Sequence, residues 1–147
     1  MRTVIISGYF NPIHTGHLDY IEEAARLGDQ LVVIVNNDKQ VKVKGSVPFM
    51  NERDRLRLVR ALKEVDAAVL SIDTDSTVLK TLRREWEWYS TDYFHEAVIF
   101  ANGGDRVAGN TPEEQFCNQV GIRTAYNVGG HKTQSSSTLI KGMGNER

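Results

Sequence analysis

This chain has only one cysteine and no excess of charge of either sign, and each scarcity excludes a class of protein. The single cysteine, Cys117, excludes an internal disulfide and a cysteine-rich zinc site. The 18 Lys and Arg residues are balanced by 19 Asp and Glu, so no basic excess predicts binding along a nucleic acid. No apolar run is long enough to span a membrane, and the first residues lack the layout of a signal peptide. We therefore expect a cytoplasmic protein with a reduced thiol.

The remaining pattern is an alternation of short apolar runs and helical segments. The length of 147 residues suits one domain, and no repeat or linker divides it, so we predict a single domain over 1–147. Alternating strands and helices predict an α/β fold, a Rossmann-like doubly wound parallel sheet of five strands. The predicted strands are 3–8, 30–36, 67–72, 97–100 and 123–128. The predicted helices begin near 16, 51, 78, 112 and 135, and we interpret 37–50 as a loop.

Four loops follow the carboxyl ends of these strands, where sheets of this kind bind ligands. They are 9–17, 36–46, 102–106 and 129–137, and they are rich in Gly, His, Lys and Ser.

Two histidines in the first loop form the most specific pattern. His14 and His17 are three residues apart where a strand passes into a helix, so both rings can face one ligand. The helix N-terminus favours phosphate, and Gly16 lets a nucleotide approach closely. The alternatives are two surface histidines beside a helix cap, or a zinc site, for which no third ligand has suitable spacing. We expect no bound metal held by protein side chains.

The segment His14-Thr15-Gly16-His17 resembles the HxGH motif of a nucleotidylyltransferase superfamily. Residues 28–38, the lysine loop, Glu52 to Arg55 and 64–66 are similar to its cytidylyltransferase-like family, and the similarity resumes at 103–105 and 135–140. The resemblance implies transfer of a nucleotidyl group, with CMP favoured, to a small phosphorylated or phosphonylated acceptor such as glycerol 3-phosphate, with release of pyrophosphate. Two alternatives are adenylyl transfer to a sugar phosphate and FAD synthesis. A non-catalytic nucleotide-binding module on the same fold is a rival of another class.

The resemblance also implies roles for individual residues. The catalytic residues are His14, His17 and Lys44. Substrate binding is expected of Lys42, Arg55 and Arg106. The expected nucleotide-binding residues are Gly8, Tyr9, Phe10, Gly16, Gly104, Asp105, Lys132, Ser135, Ser136, Ser137 and Thr138. Mg²⁺ accompanies CTP or ATP in such enzymes, and homodimers are common.

Several of these residues have plainer interpretations. A lysine in a polar loop or an arginine on a helix is often only solvated, and a Ser/Thr run is also a normal helix cap. Gly103-Gly104-Asp105 suits a simple turn. The aromatic segment with Trp86, Trp88 and Tyr89 suits a packed helix end or a subunit contact, and alternatively a wall of the acceptor pocket.

Overall fold

Five parallel strands form one sheet, which confirms the predicted α/β Rossmann-like fold. The computed structural model describes residues 1–90, 98–103 and 111–130. The strands are β1 (Thr3–Gly8), β2 (Gln30–Val35), β3 (Ala67–Leu70), β4 (Val98–Gly103) and β5 (Arg123–Val128). Their order across the sheet is β3-β2-β1-β4-β5, and every neighbouring pair is parallel.

Helices cover both faces of the sheet: α1 (Thr15–Ala25), α2 (Asp38–Val43), α3 (Glu52–Arg60), α4 (Leu79–Tyr89) and α5 (Pro112–Val120). Side chains of a strand alternate between its two faces, so Val4 and Ile6 of β1 share one core and Ile5 lies in the other. Residues of α1 and α3 pack in the first core, and residues of α4 and α5 pack in the second. None of the described helices has the length and apolar character needed to cross a membrane.

The predicted loop 37–50 is wrong in one part, because it contains α2. Asn37 accepts a hydrogen bond from the backbone N–H of Gln40, and the Gln40 side chain accepts one from the N–H of Asn37. This capping box stabilises a helix of only six residues. Val41 and Gln40 are its buried residues, so too few apolar positions reach the core to give a helical pattern in the sequence.

The other predicted elements within the described residues are present, most of them with shifted bounds, and the helix predicted to begin near 135 lies outside the described residues. Asn51 caps α3 as predicted, but the helix ends at Arg60, and Leu62 and Val65 pack on the core from the turn that follows. Strand β3 ends at Leu70, two residues early. Helix α4 continues through the aromatic segment to Tyr89. Strand β4 extends to Gly103, and β5 matches its prediction at both ends.

The strand order reverses beside β1, which lies between β2 and β4. The chain passes from β1 to α1 on one face, whereas β4 is followed by α5 on the other face. The two connections therefore separate at the carboxyl ends of β1 and β4, which opens a crevice there. The histidine loop follows β1 and borders this crevice.

Candidate nucleotidyl-transfer site

A cavity of about 630 Å³ opens at the carboxyl ends of β1 and β4. We call it the large cavity. Its walls come from the end of β1 and the histidine loop, from β4, from the segment before α4, and from the start of α5. The lining residues used below are Gly8, Tyr9, His14, His17, Tyr20, Asn36, Lys44, Ser76, Thr77, Val78, Asn102, Gly103 and Glu113.

A second cavity of about 250 Å³ adjoins the same histidines. We call it the small cavity. It is lined by the first loop, from Tyr9 to Pro12, together with Val41 and Ser46. The two cavities share Tyr9, Phe10, His14, His17 and Lys44. The three predicted catalytic residues therefore stand where two binding spaces meet.

The two histidines cap the helix that carries them. His14 is the N-cap of α1, and its Nδ1 accepts the backbone N–H of Gly16 at 3.1 Å. The Nδ1 of His17 accepts the backbone N–H of His14, also at 3.1 Å, and the two rings stack with their centroids 3.8 Å apart. A ring nitrogen that accepts a hydrogen bond carries no proton, so in both rings the proton is on Nε2. Each ring is thus held in the tautomer that can donate from Nε2 to a phosphate oxygen.

This arrangement corrects one expectation about the helix N-terminus. We expected free N–H groups there to bind phosphate, but the Gly16 N–H is donated to His14 and the His17 N–H to the carbonyl of His14. One of these donors is accepted by an imidazole and the other by a backbone carbonyl, and the two rings offer their own Nε2–H groups to a ligand instead.

His17 is held in its neutral form. Burial lowers its pKa most, and the nearby His14 and Lys44 lower it further, to about 4. The buried ring of Phe10 lies edge-on to the His17 ring, with centroids 4.9 Å apart. Phe10 thus supports the histidine from the core side, a more specific task than the nucleotide contact expected of it.

Lys44 is placed at the end of α2, and not in an open loop. It is the C-cap of that helix, and its Nζ lies 4.2 Å from the centroid of the Tyr9 ring. A cation over an aromatic face is attracted by the ring, so Tyr9 directs the ammonium toward the shared region of the two cavities. Lys42, the competing lysine, is exposed and does not line either cavity.

Arg55 has a different position from the one predicted. The residue is 1% exposed and lines neither cavity. Its Nε donates to the carbonyl of Met50, and its Nη1 donates to the carbonyls of Tyr9 and Asn36 at 2.8 and 2.6 Å. Its Nη2 donates to the Asp38 carboxylate at 2.7 Å. The expected substrate contact is therefore wrong for this state of the protein, because the guanidinium joins the first loop, the end of β2 and α2 to each other.

Close packing explains two glycines at the ends of strands. A Cβ on Gly8 would lie 2.7 Å from the Phe10 ring, and a Cβ on Gly103 would lie 2.6 Å from the ring of Tyr20. The Tyr20 hydroxyl in turn donates to the carbonyl of Ala101 at 2.7 Å. Glycine at both positions lets aromatic rings pack directly against the floor of the large cavity.

A buried glutamine holds the wall formed by Ser76, Thr77 and Val78. The Gln40 amide donates to the carbonyls of Asp75 and Thr77 at 2.9 and 2.7 Å. Glu113 of α5 accepts the N–H of Val78 at 2.9 Å from the other side. The segment is therefore fixed between α2 and α5, although its own residues belong to no helix or strand.

Sequence reasoning missed several residues that line the large cavity. Asn36 and Asn102 stand at the carboxyl ends of β2 and β4, within the loops 36–46 and 102–106 that the rule for ligands on parallel sheets selects, but no motif singles them out there. Tyr20, Thr77 and Glu113 gave no such signal, because only the packing of separate segments brings them to the cavity. The predicted site residues outside the described part of the chain are Gly104, Asp105, Arg106, Lys132, Ser135, Ser136, Ser137 and Thr138.

The aromatic segment packs away from these cavities. Trp86 meets Phe116 edge-on at 5.7 Å between ring centroids, as the packed helix end predicts. Trp88 and Tyr89 border a separate cavity beside Val69. The alternative of an acceptor wall is thus not supported by their position.

Two further observations concern the cysteine and metal binding. Cys117 is buried, and burial raises the pKa of its thiol to about 12, so it is unsuited to act as a nucleophile. Across 1–90, 98–103 and 111–130, no cluster of three or more His, Cys, Asp or Glu side chains could hold a metal ion.

Comparison with known proteins agrees with this geometry. The family model described as cytidylyltransferase-like matches residues 5–141, so the chain belongs to the cytidylyltransferase-like family. The FAD synthase of Thermoplasma acidophilum is 43% identical over 82 residues, which are 56% of each chain. The FAD synthase of Ferroglobus placidus is 49% identical over 75 residues, 51% of this chain and 49% of that protein. The matched part thus spans about half the length of these relatives.

Two other proteins are similar over more of this chain. The bifunctional protein HldE of Methylobacillus flagellatus is 37% identical over 109 residues, 72% of this chain and 22% of its own length. The crystal structure of a lipopolysaccharide core biosynthesis protein from Thermoplasma volcanium superposes with a TM-score of 0.67 at 30% identity. That superposition covers 86% of this chain and 94% of the other, so the two proteins share the fold over most of their length.

Proposed function

We propose that this chain is a nucleotidylyltransferase that joins FMN to the AMP moiety of ATP, forming FAD and releasing pyrophosphate. The observation that carries the proposal is the meeting of two cavities at His14, His17 and Lys44. Transfer between two substrates needs such a common point, because the attacking and leaving oxygens must lie on opposite sides of one phosphorus. The choice of ATP and FMN is supported by the relatives named FAD synthase. The family membership is equally compatible with CMP transfer, which the experiment below includes.

The proposed reaction is a direct displacement. A phosphate oxygen of the acceptor attacks the α-phosphorus of the triphosphate, and a new phosphorus–oxygen bond forms. The bond between the α-phosphorus and the bridging oxygen breaks, and pyrophosphate leaves with the electron pair. Catalysis then consists of positioning two anions and stabilising the charge that grows on the phosphoryl oxygens.

The residues at the meeting point suit that task. The two Nε2–H groups are fixed donors, and neutral His17 stays a donor without taking up a proton above about pH 4. Lys44 supplies a positive charge beside Tyr9, where the acceptor and triphosphate oxygens would come together. Mg²⁺ would enter with the triphosphate, whose oxygens are the ligands it prefers, as part of the substrate.

The remaining expectations are proposals of the same kind. Nucleoside triphosphate and a small phosphorylated compound are the proposed partners. A homodimer and a cytoplasmic location rest on the resemblance and the composition, and light scattering at increasing protein concentration would test the first.

The test combines two nucleotides with three acceptors. ATP or CTP is mixed with FMN, glycerol 3-phosphate or a sugar 1-phosphate, and both pyrophosphate and the nucleotide product are measured. We expect pyrophosphate and FAD in equal amounts only with ATP and FMN. CDP-glycerol from CTP would replace the proposal by the cytidylyl reaction, and no product in any mixture would contradict nucleotidyl transfer.

The His17→Ala variant tests the mechanism in the productive mixture. We expect kcat to fall at least about 100-fold while KM changes much less, since donors to a developing charge act mainly in the transition state. An unchanged kcat in that variant would refute the role of the histidine pair.

A further inference from the structure

The segment after Ser46 exposes two large apolar side chains beside the small cavity. Val47 is 79% exposed and Phe49 is 73% exposed, so neither gains stability from burial in this state. We infer that Val47 and Phe49 form the surface on which the planar ring of the acceptor stacks, an inference that rests on the proposed function. It assigns the acceptor to the small cavity, with its ring on the surface beside that cavity, and leaves the large cavity to the nucleotide.

The side chain of Asn11, in the first loop, fixes this surface in place. The Asn11 amide donates from Nδ2 to the carbonyl of Val47 at 3.0 Å and accepts the N–H of Phe49 at Oδ1 at 2.7 Å. These two hydrogen bonds hold the backbone of the segment, although Val47 and Phe49 are 36 and 38 residues from Asn11 in the sequence. Asn11 itself lines the small cavity, and His14 follows it by three residues. The apolar pair is therefore tied to the loop that carries the chemistry.

Among the described residues, few polar side chains line the small cavity besides those that it shares with the large cavity. Apart from the shared histidines, Tyr9 and Lys44, its polar side chains are Asn11 and Ser46. Both polar atoms of the Asn11 amide are already bonded to the backbone of the Val47–Phe49 segment. A flat aromatic ring needs only a face to stack on, which the exposed Val47 and Phe49 side chains beside this cavity offer.

The charge distribution fits a molecule with a single phosphate at one end. Lys44 is the cation that lines the small cavity, among the residues that the structure describes. It lies on the side shared with the nucleotide, where the acceptor phosphate must be for attack on the α-phosphorus. The apolar pair follows Ser46 in the chain and is bonded to Asn11, and both of these residues line the same cavity, so FMN can meet a cation at its phosphate and an apolar surface at its ring.

The test substitutes Phe49→Ala and measures FAD formation with ATP and FMN. Loss of one stacking partner is expected to raise KM for FMN about tenfold, with kcat and KM for ATP changed less than about twofold. Asn11→Ala, which frees the segment, should raise the same KM. Trp88→Ala is the matched control, because Trp88 is also 73% exposed but lies on α4 and lines neither of the two cavities.

A direct binding measurement removes the dependence on turnover. Riboflavin keeps the ring without the phosphate, and its binding can be followed by the quenching of its fluorescence. We expect the unmodified protein to bind riboflavin and the Phe49→Ala variant to bind it about tenfold more weakly. FAD formation with KM for FMN unchanged in Phe49→Ala would overturn this inference and leave the proposed function standing. No FAD formation by the unmodified protein would overturn both.

Discussion

Replacement of Arg55 separates a structural role from a substrate-binding role. In Arg55→Ala the carbonyls of Tyr9, Asn36 and Met50 lose their donor, and Asp38 loses its ionic partner. Breaking a buried pair by removing one partner costs about 3–5 kcal/mol, and since Asp38 remains 30% exposed we expect the lower end, about 3 kcal/mol. For a chain of this length, that loss corresponds to a decrease in Tm of about 6–12 °C.

The measurement uses urea and thermal unfolding together with the kinetics of FAD formation. Arg57→Ala is the matched control, because Arg57 is an exposed arginine of the same helix and its loss should change stability by less than about 0.5 kcal/mol. Arg55→Lys keeps the charge, but a single ammonium cannot reproduce a guanidinium that reaches four acceptors. The free energy of unfolding of Arg55→Lys should therefore lie between those of Arg55→Ala and the unmodified protein.

The opposite result would restore the prediction made from sequence. If Arg55→Lys unfolds like the unmodified protein but raises KM for the acceptor, the guanidinium contacts substrate during turnover and its contacts within the protein are secondary. If the Arg55 variants lose stability and catalytic efficiency in proportion, the loop that carries His14 and His17 depends on Arg55 for its position.

Three further predictions concern the walls of the large cavity. Because the pKa of His17 is lowered to about 4, the unfolded chain takes up a proton first, so stability should fall as the pH drops from about 6.5 to about 4. Urea unfolding at pH 7 and pH 5 should show a smaller difference in His17→Ala. Gly103→Ala would place a Cβ 2.6 Å from the Tyr20 ring. Thermal unfolding should show that the free energy of unfolding falls by about 1–3 kcal/mol, and the same substitution should cost less when it is made in Tyr20→Ala. Gln40→Ala leaves the carbonyls of Asp75 and Thr77 without donors; we expect a loss of about 2 kcal/mol and a raised KM for ATP, with exposed Lys39→Ala as the unchanged control.

Local signals were sufficient for most of the fold. The apolar run of β1 predicts its strand correctly because a buried parallel strand needs a continuous apolar or β-branched stretch. Helix α2 escaped the same reasoning because its stability comes from the Asn37–Gln40 capping box and from buried Gln40, which carries no apolar signal.

Some residues of the candidate site can be recognised from local sequence, and others are placed only by packing. His14, Gly16 and His17 are recognisable because three residues in one turn fix their own geometry. Lys44 could be selected but not placed, since its position depends on α2 and on the Tyr9 ring. Arg55 was misread, because a sequence shows an arginine on a helix and cannot show that four backbone and side-chain acceptors surround it.

The sequence by itself determined the parallel sheet, the histidine motif and the edge of the sheet at which ligands bind. Those properties follow from local periodicity and from the polarity of parallel strands, which neighbouring residues already encode. The tertiary structure alone decided the position of Lys44 beside Tyr9, the burial of Arg55 and the Asn11 contact with Val47 and Phe49. Each of these depends on atoms brought together by packing, across separations that no local pattern records.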